Sequence, residues 1–537
     1  MPNLRIREIT LNKWKFKYSL EVITFIALIV GLLTYKDYGI STDERQQRLI
    51  GLVNSKFIYE EVLNFSSLAK FENIPKLLDF GDSIFGSIYE ICLIVIEILF
   101  GLNRPENIFE TRHLLNNTFF IIVIYFFSKK ASTLFRGHFF GVLCFLLFVL
   151  NPRIYVDSFY NTKDIVHMCA FMLGFLSIVR YLAKQNLVNL SLVSVATVFA
   201  INTRMTGVLL ILVFIYTLQT LHVVQKKSIK QLGYIFTIYL LQISSLTIVT
   251  FPFLWSNPLK NFLIAIMKFA RYPLDLDMNY WGNIINSESL PWHYFFSWFL
   301  VSNPLSLTIL VSLSILICCI HFGTGQNRSL NLPKVPFVTF HFMIFFLALT
   351  SVIVLNSSLY NSWRHLFFIY PSLVYLCLAG IRIIQIEFHL DYKKIISVVL
   401  LTLVPNLIWM ITYHPYGNLY FNSQFSKNVQ VKFDVDYWGT ANKEILHRLA
   451  KYNDGELIKI FLLSDSSMGK TLESIDTKFS SRFVIVENIE DADFLIDTFL
   501  VDRRAEVIVK KEVFEVRDKL AISDYFAAVI FQKISKN

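Results

Sequence analysis

The sequence has 537 residues, of which 54% are hydrophobic and only 17% are charged. Because soluble domains carry about 25% charged residues, a single water-soluble core would not bury this much apolar surface. The net charge of +10 comes from lysines and arginines in short loops between apolar runs, so we interpret it as membrane topology and expect no nucleic-acid partner.

The first apolar run predicts an N-terminal membrane helix. Residues 5–17 are rich in lysine and arginine, and no small-residue cleavage pattern follows the apolar run 18–35. A basic segment before an uncleaved apolar run is typical of a helix whose N-terminus stays in the cytoplasm. We therefore predict a membrane anchor that remains part of the protein.

A second apolar run, 83–100, contains Glu90 and Glu97 and decides the orientation of everything after it. If this run crossed the membrane, the basic residues around Lys129 and Lys226 would face outside, against the positive-inside bias. We therefore predict that 83–100 is an amphipathic helix in the membrane interface and that the basic loops are cytoplasmic.

Apolar runs long enough to cross a hydrocarbon layer of about 30 Å as helices recur up to residue 413. We predict about eleven spans, at 18–35, 114–128, 138–151, 165–183, 189–203, 205–223, 232–253, 291–320, 335–355, 366–383 and 394–413. The run 190–221 is too long for one crossing, so we divide it at the polar residues 202–204. An odd number of spans predicts a multi-pass protein of the inner or plasma membrane with an extracytoplasmic C-terminus.

The composition changes near residue 415 to that of a soluble domain. A helical pattern and strand-like patterns follow at 443–451, 458–463, 483–486, 506–509 and 527–531. Such an alternation predicts a small α/β domain. We therefore divide the chain into a membrane domain, 1–414, whose first extracytoplasmic loop is 36–113, and a soluble extracytoplasmic α/β domain, 415–537.

Four polar groups lie at the predicted outer ends of the spans, namely 41–44, 151–164, Arg204 and 360–365. Carboxylates in this set could accept a proton from a hydroxyl group, and its arginines and lysines could stabilise a departing phosphate. For each residue taken alone, the alternative is a charge that meets solvent or lipid headgroups.

Three histidines, His113, His167 and His365, are candidate metal ligands. Lone histidines at helix ends are more often hydrogen-bonding residues, and the sequence has no paired-carboxylate pattern for a metal ion. We therefore predict no cofactor, with a divalent metal ion as the alternative.

Short motifs lie in order along the membrane part. They are Thr42-Asp43-Glu44, Arg112-His113-Leu114-Leu115, Asn151-Pro152-Arg153 with Phe159 to Asp164, Thr203-Arg204, Trp363-Arg364-His365-Leu366-Phe367-Phe368 with Tyr370-Pro371, His414-Pro415-Tyr416 with Tyr420-Phe421-Asn422, and Asp436-Tyr437-Trp438-Gly439. In these motifs and their spacing relative to the helices, the chain resembles bacterial members of glycosyltransferase family 39, relatives of the dolichyl-phosphate-mannose protein mannosyltransferases and the lipid A aminoarabinose transferases. Asn361 and Ser362 stand where the family pattern has Asp and Gly.

The resemblance implies an α-helical polytopic membrane protein with a GT-C type fold. It also implies an inverting sugar transfer in which Asp43 acts as base and Glu44 supports it. The remaining implied roles are lipid-phosphate binding by Arg112, Lys163, Arg204 and Arg364, and sugar or acceptor contact by Asp164 and His365.

The function expected from the sequence is a membrane glycosyltransferase that takes a hexose or pentose from a polyprenyl-phosphate donor. Its acceptor would be a lipid, glycan or protein hydroxyl on the extracytoplasmic face. The alternatives are a transporter or flippase of lipid-linked saccharides and a non-catalytic membrane assembly partner. A transporter would usually have paired halves or helices broken near the midplane, and the sequence has neither pattern.

Overall fold

The computed structural model describes residues 18–66, 68–270, 275–323, 335–452, 457–464, 467–500 and 513–534. In these residues the chain is mostly helical, with a five-stranded sheet near the C-terminus. The basic stretch 5–17 and the predicted strand 506–509 lie outside the described residues.

The helices up to residue 203 are α1 Ser19–Thr34, α2 Glu44–Lys56, α3 Ile88–Leu99, α4 Pro105–Leu134, α5 His138–Val149, α6 Pro152–Tyr160, α7 Asp164–Ala183 and α8 Leu187–Thr203. The elements that follow are α9 Leu209–Gln225, α10 Ile229–Thr250, α11 Pro258–Ala270, the hairpin β1 Asp277–Tyr280 and β2 Asn283–Asn286, α12 Tyr294–Ser302, α13 Leu305–Gly323, α14 Val335–Val354, α15 Tyr370–Glu387 and α16 Tyr392–Thr412. The 3-10 segments Met205–Val208 and Arg364–Ile369 lead directly into α9 and α15.

Several helices have the length and composition of membrane spans. Six such segments occur among the described residues, namely Asp164–Ala183, Met205–Gln225, Ile229–Thr250, Phe337–Val354, Arg364–Glu387 and Lys393–Thr412. Each lies over one predicted span. The bent pair of α5 and α6 would add a seventh, whereas α1, α8 and α13 are apolar but shorter. The predicted count of about eleven is therefore not established, and six is the number that length and composition support.

The predicted span 291–320 is wrong as a single helix. In the structure α12 ends at Ser302, Asn303 is extended with a ψ of 154°, and α13 begins at Leu305. Proline lacks the backbone N–H of a helix interior and pushes the residue before it out of the helical region. Pro304 therefore divides the run into two helices.

The segment 151–164, predicted as a loop, contains the helix α6. The Asn151 side chain accepts a hydrogen bond from the Ile154 backbone N–H at 3.3 Å, and Pro152 occupies the first turn. An Asn cap followed by Pro starts a helix and cannot continue the preceding one. The chain therefore bends by 68° between α5 and α6.

Helix α3 has only 12 residues, which at 1.5 Å per residue is about 18 Å and too short to cross a bilayer. Its buried side includes Glu90 and Glu97, while Val95, Ile98 and Leu99 are exposed. This apolar outer face agrees with the amphipathic helix predicted at 83–100.

The C-terminal part contains α17 Asn442–Tyr452, β3 Ile458–Leu462, α18 Met468–Leu472, α19 Thr477–Ser480, β4 Phe483–Ile485, β5 Phe494–Asp497, β6 Phe514–Ile522 and β7 Tyr525–Lys533. The strand order is β4-β3-β5-β7-β6. The β4, β3 and β5 strands are parallel, and β7 pairs antiparallel with β5 and β6. The α/β character that the sequence predicted is therefore present.

The segment between α16 and α17 packs against the helical part. The Asn422 N–H donates to the Val301 carbonyl at 2.8 Å, and the buried Arg153 guanidinium donates through Nε to the Tyr420 carbonyl at 2.9 Å. The Tyr525 hydroxyl of β7 donates to the Leu419 carbonyl. These contacts fix the sheet close to one end of the helices.

Candidate functional site

Four charged residues that are far apart in the sequence meet where several helices end. Asp164 begins α7, Arg204 follows α8, Arg364 leads into α15, and Asp43 directly precedes α2. Arg364 Nη1 donates to Asp43 Oδ2 at 2.9 Å and to Asp164 Oδ2 at 3.2 Å. Arg204 Nη2 pairs with Asp164 Oδ1. We call these four residues, together with Lys163, the charged site.

The members of the charged site differ in their access to solvent. The side chains of Asp164 and Arg364 are 1% and 2% exposed, whereas those of Arg204 and Asp43 are 20% and 40% exposed. The site therefore has a buried floor made by Asp164 and Arg364. Asp43 lies at its open edge, where an incoming molecule would meet it.

Asn161 fixes the position of Asp164. The Asn161 side chain accepts a hydrogen bond from the Asp164 N–H at 2.7 Å and donates to Asp164 Oδ2 at 3.1 Å. The N-terminal position on α7 also favours a carboxylate, because the helix dipole is positive there. Asp164 is thus a fixed anion that orients both Arg204 and Arg364.

Two aromatic rings and an unusual turn fix Arg364. Its guanidinium lies 4.5 Å from the Trp438 ring centroid and 4.8 Å from that of Tyr360. Asn361 and Ser362 both have left-handed backbone conformations, with φ of 54° and 74°. Glycine adopts this conformation without steric cost and serine does not, so the turn before Arg364 is held by its surroundings.

Trp438 belongs to a loop that closes over the site. Its carbonyl accepts hydrogen bonds from the N–H and the hydroxyl of Thr42, both at 2.9 Å. Asp436 accepts from the Ala441 N–H at 2.8 Å, and burial raises the pKa of this carboxyl group. A Cβ atom added to Gly39 would lie 2.1 Å from the Thr440 carbonyl oxygen. Close backbone contact thus joins the segment after α1 to residues 436–440.

Lys163 brings a further cation to the site. Its Nζ atom lies 3.7 Å from the centroid of the Phe85 ring, in the segment that leads to α3. Burial and, second, the neighbouring positive charge of Arg204 together lower the pKa of Lys163 to about 7. Near neutral pH this amine therefore changes its charge readily.

The charged site has more hydrogen-bond donors than acceptors. Among the described residues, the donors Arg204 Nε and Arg364 Nε are buried and have no hydrogen-bond partner. His365 Nε2, whose role depends on the tautomer, and Asp164 Oδ1, which is ion-paired with Arg204, are also buried without a hydrogen bond. A buried donor left unpaired costs about 1–3 kcal/mol. With three cationic side chains facing two carboxylates, this arrangement suits an anionic ligand with several oxygen atoms.

Glu44 lies beside the charged site but is occupied by other groups. Its buried carboxylate accepts from the Ser41 N–H at 2.7 Å and contacts His113 Nε2 at 2.9 Å. The other ring nitrogen of His113 lies 3.3 Å from the Tyr35 carbonyl oxygen. These contacts hold the turn that carries Asp43. The predicted supporting role of Glu44 stays a prediction, and its contacts agree with positioning.

Arg112 lies in a different ion-pair network. Its buried guanidinium pairs with Glu90 and, at 3.2 Å, with Glu97. Glu97 also pairs with Arg48 at 3.0 Å and Lys70 at 3.2 Å. This network joins α4 to α2 and α3. The ion pairs of Arg112 are made with Glu90 and Glu97 and not with members of the charged site, so we leave this arginine out of the charged site, and its predicted phosphate contact remains untested.

Two of the three candidate metal ligands, His113 and His167, contact other polar groups through both ring nitrogens. In the described part of the chain, no cluster of three or more His, Cys, Asp or Glu residues could hold a metal ion. The two ring nitrogens of His167 lie 2.7 and 2.8 Å from the hydroxyls of Thr203 and Thr206. His113 contacts Glu44, and the His365 ring packs against Tyr360 at 4.4 Å.

Two cavities are lined by residues that lie a few positions along the chain from the charged site. An apolar groove of about 440 Å³ lies between α7, α8 and α10 and is lined by Ile88, Leu173, Leu176, Ser177, Arg180, Leu192, Val195, Ala196, Val198, Phe199, Leu246 and Thr250. We call it the apolar groove. A cavity of about 420 Å³ lies between residues 288–296 and 349–359, and we call it the interface cavity.

Sequence reasoning did not assign roles to several residues that position the charged site. Asn161 holds Asp164, Tyr360 and Trp438 pack on Arg364, and Phe85 contacts Lys163. The motif around Trp438 was visible, but a contact between residues 364 and 438 has no local sequence signal.

Comparison of the chain with models of protein families finds no match, and comparison with curated proteins finds none either.

Proposed function

We propose that this chain is an integral membrane glycosyltransferase that moves a sugar from a polyprenyl-phosphate donor to an acceptor hydroxyl. The observation that carries the proposal is the charged site, in which Arg204, Arg364 and Lys163 face two carboxylates at the helix ends. Buried donors without partners remain there. The order of the family 39 motifs supports the same conclusion.

A phosphodiester fits the charge of this site. The donor carries one negative charge, which would balance the one excess cation of the charged site. Its oxygens would accept from the unpaired Nε atoms of Arg204 and Arg364. After the sugar leaves, the additional charge on the phosphate would be stabilised by the same arginines and by protonated Lys163.

The apolar groove supports a lipid-linked donor over a soluble one. Ile88 and Phe199 line the groove, and Phe199 precedes Arg204 on the same helix by five residues, which is about 7.5 Å along α8. Along α7 the groove lining runs from Leu173 to Arg180, which lie about 14 and 24 Å along the helix from Asp164. A long hydrocarbon chain in this groove would bury apolar surface while its phosphate occupies the charged site.

Asp43 has the position needed for the acceptor. In the proposed reaction its carboxylate takes the proton of the acceptor hydroxyl as the oxygen attacks the anomeric carbon. The carbon–oxygen bond to the phosphate breaks, and its electron pair stays on the phosphate oxygen. Attack opposite to the leaving phosphate inverts the anomeric configuration. Arg364, bound to Asp43 and Asp164, holds the Asp43 carboxylate in its orientation.

The proposal includes a GT-C type arrangement in the membrane. The charged site and the C-terminal domain would lie on the extracytoplasmic side, with the N-terminus in the cytoplasm. The first loop, 36–113, would lie on the membrane surface through the apolar face of α3. The ion pairs of Arg112 would then fix this loop below the site instead of binding the donor.

The test is the Asp43→Asn variant with Asp37→Asn as matched control. Asp37 lies six residues earlier, is half-exposed and pairs with His414 at 2.8 Å. We expect purified wild-type protein in detergent, given labelled polyprenyl-phosphate sugars and membrane extract, to release the carrier phosphate. Asp43→Asn should reduce the release by at least about 1,000-fold and Asp37→Asn by less than about threefold.

Two outcomes would contradict the proposal. Full turnover by a folded Asp43→Asn protein would remove Asp43 from the reaction. No release by the wild type from any donor in the panel would favour the transporter or assembly alternatives over an enzyme.

A further inference from the structure

We propose that the interface cavity holds the acceptor and that this acceptor is a lipid with an uncharged, hydroxylated head group. The inference rests on the proposed function and decides between the lipid, glycan and protein acceptors that the sequence left open.

The interface cavity has two kinds of wall. Its polar part includes Glu288, Ser289, Asn356 and Ser357, and its apolar part includes Phe296, Leu349, Val352 and Ile353. A volume of about 420 Å³ lies in the range of small-molecule sites. The lining therefore suits a molecule with a polar and an apolar end.

The two parts of the cavity lie on either side of the end of a candidate span. The span Phe337–Val354 contains the apolar wall residues of α14, and Asn356 and Ser357 follow its end. Trp292, which lines the cavity, and Val354, which follows the lining residue Ile353, are each 70% exposed. Trp and apolar side chains exposed at a helix end are typical of the membrane interface. In a bilayer the cavity would thus extend from the hydrocarbon edge into the aqueous layer.

This position favours an amphiphile over a soluble acceptor. A lipid would place its chains along the apolar wall and its head group among the polar residues, so both parts of the cavity would be filled. A free sugar or a peptide segment would leave the apolar wall in contact with water, which is unfavourable.

The head group is defined by the charges that line the cavity. Among the described lining residues there is no Lys, Arg or His, and Glu288 is the one acidic side chain. An anionic head group would find no counter-charge there. The carboxylate, amide and hydroxyl groups of Glu288, Asn356 and Ser357 are instead suitable partners for sugar hydroxyls.

The interface cavity is joined to the charged site through two neighbouring contacts. Leu359 lines the cavity, and the next residue, Tyr360, packs its ring on the Arg364 guanidinium. Phe295 also lines the cavity, and its ring lies 6.0 Å from that of Trp363. A head group in the cavity would therefore adjoin the residues that hold Arg364 and, through it, Asp43.

The binding experiment uses a glucosyl diacylglycerol with a photoreactive diazirine on one acyl chain, added to the full-length protein in phosphatidylcholine nanodiscs. We expect labelled peptides from 288–296 and 349–357. Val352→Trp, which fills the cavity, should reduce this labelling at least about fivefold, while Val354→Trp, on the same helix but outside the lining, should leave it unchanged. Labelling that Val352→Trp does not reduce, or equal labelling by a phosphatidic acid with the same chain, would overturn the inference.

The transfer experiment compares three acceptors with an active donor: glucosyl diacylglycerol, free maltose and a Ser/Thr peptide. We expect transfer to the glycolipid, with a KM for it raised at least about tenfold by Val352→Trp and not by Val354→Trp. Transfer to the peptide or to maltose instead would overturn the acceptor assignment but leave the proposed function standing. Failure of the proposed function would be recognised separately, as no carrier release from any donor.

Discussion

The charge of the Lys163 amine leads to a prediction about how donor binding depends on pH. Its pKa is lowered to about 7 by burial and by Arg204, so in the free protein the amine is protonated below neutral pH and neutral above it. The donor phosphodiester keeps its single negative charge throughout this range. We therefore expect the KM for the donor to rise between about pH 7 and pH 9, by at most tenfold per pH unit, because the neutral amine no longer attracts the phosphate.

The Lys163→Arg variant is the control for this assignment. Arginine stays charged throughout this range, so its KM for the donor should be nearly independent of pH. A pH profile of Lys163→Arg that follows the wild type would assign the titration to another group.

The sequence predicted the members of the charged site better than their partners. Asp43, Lys163, Asp164, Arg204 and Arg364 were all named from motifs at helix ends, and these residues meet in the structure. The topology brings together the helix ends on one side of a bundle. Polar residues at those ends can therefore be expected to lie close to one another.

For Arg112 and Glu44, the sequence did not show which side chains would be their partners. Arg112 pairs with Glu90 and Glu97, and Glu44 pairs with His113. These partners are also charged or titratable, and a sequence does not show which opposite charges will pair. Whether a buried arginine is available to a ligand depends on such pairing.

The close backbone contact between Gly39 and residues 436–440 leads to a second prediction. In Gly39→Ala the new Cβ would meet the Thr440 carbonyl at 2.1 Å, so one of the two backbones must move. Because Trp438 on this loop binds Thr42 and packs on Arg364, we expect sugar transfer to fall at least about tenfold and the free energy of unfolding to fall by about 1–3 kcal/mol.

Gly81→Ala is the matched control in the same segment, 36–113, since a Cβ there meets nothing within 4 Å. It should leave transfer and thermal stability within error of the wild type. Normal activity of Gly39→Ala would show that the closing loop tolerates displacement and that Trp438 has no part in holding Arg364.

Helices and strands could be predicted where a single feature of the sequence, such as a long apolar run or a polar break, determined them. Long apolar runs gave the positions of the candidate spans, and the polar break at 202–204 matched the end of α8 at Thr203. The four-residue strand β5 and the strand β6 were not predicted, because in a short mixed sheet tertiary pairing outweighs the local pattern. Pro304 and Pro152 caused two of the errors among the helices, and helix α11 was not predicted either.

The last prediction concerns the apolar groove between α7, α8 and α10. Its mostly apolar lining begins about 14 Å along α7 from Asp164, so donors whose chain reaches the groove should bind better than short-chain donors with the same sugar phosphate. Each methylene group buried contributes about 0.8 kcal/mol. A donor with a ten-carbon prenyl chain should therefore have a much higher KM than one with a full-length polyprenyl chain.

Val195→Trp tests this assignment because Val195 lines the groove on α8 and is half exposed. The larger side chain should occupy part of the groove and raise the KM for the long-chain donor at least about tenfold, with little effect on the ten-carbon donor, whose phosphate still reaches the charged site. Val188→Trp introduces the same side chain at an exposed position on α8 outside the groove lining and should affect neither donor. An equal effect of Val195→Trp on both donors would mean that the groove shapes the charged site and does not bind the chain. The preference for long donors would then have to arise from the surrounding bilayer.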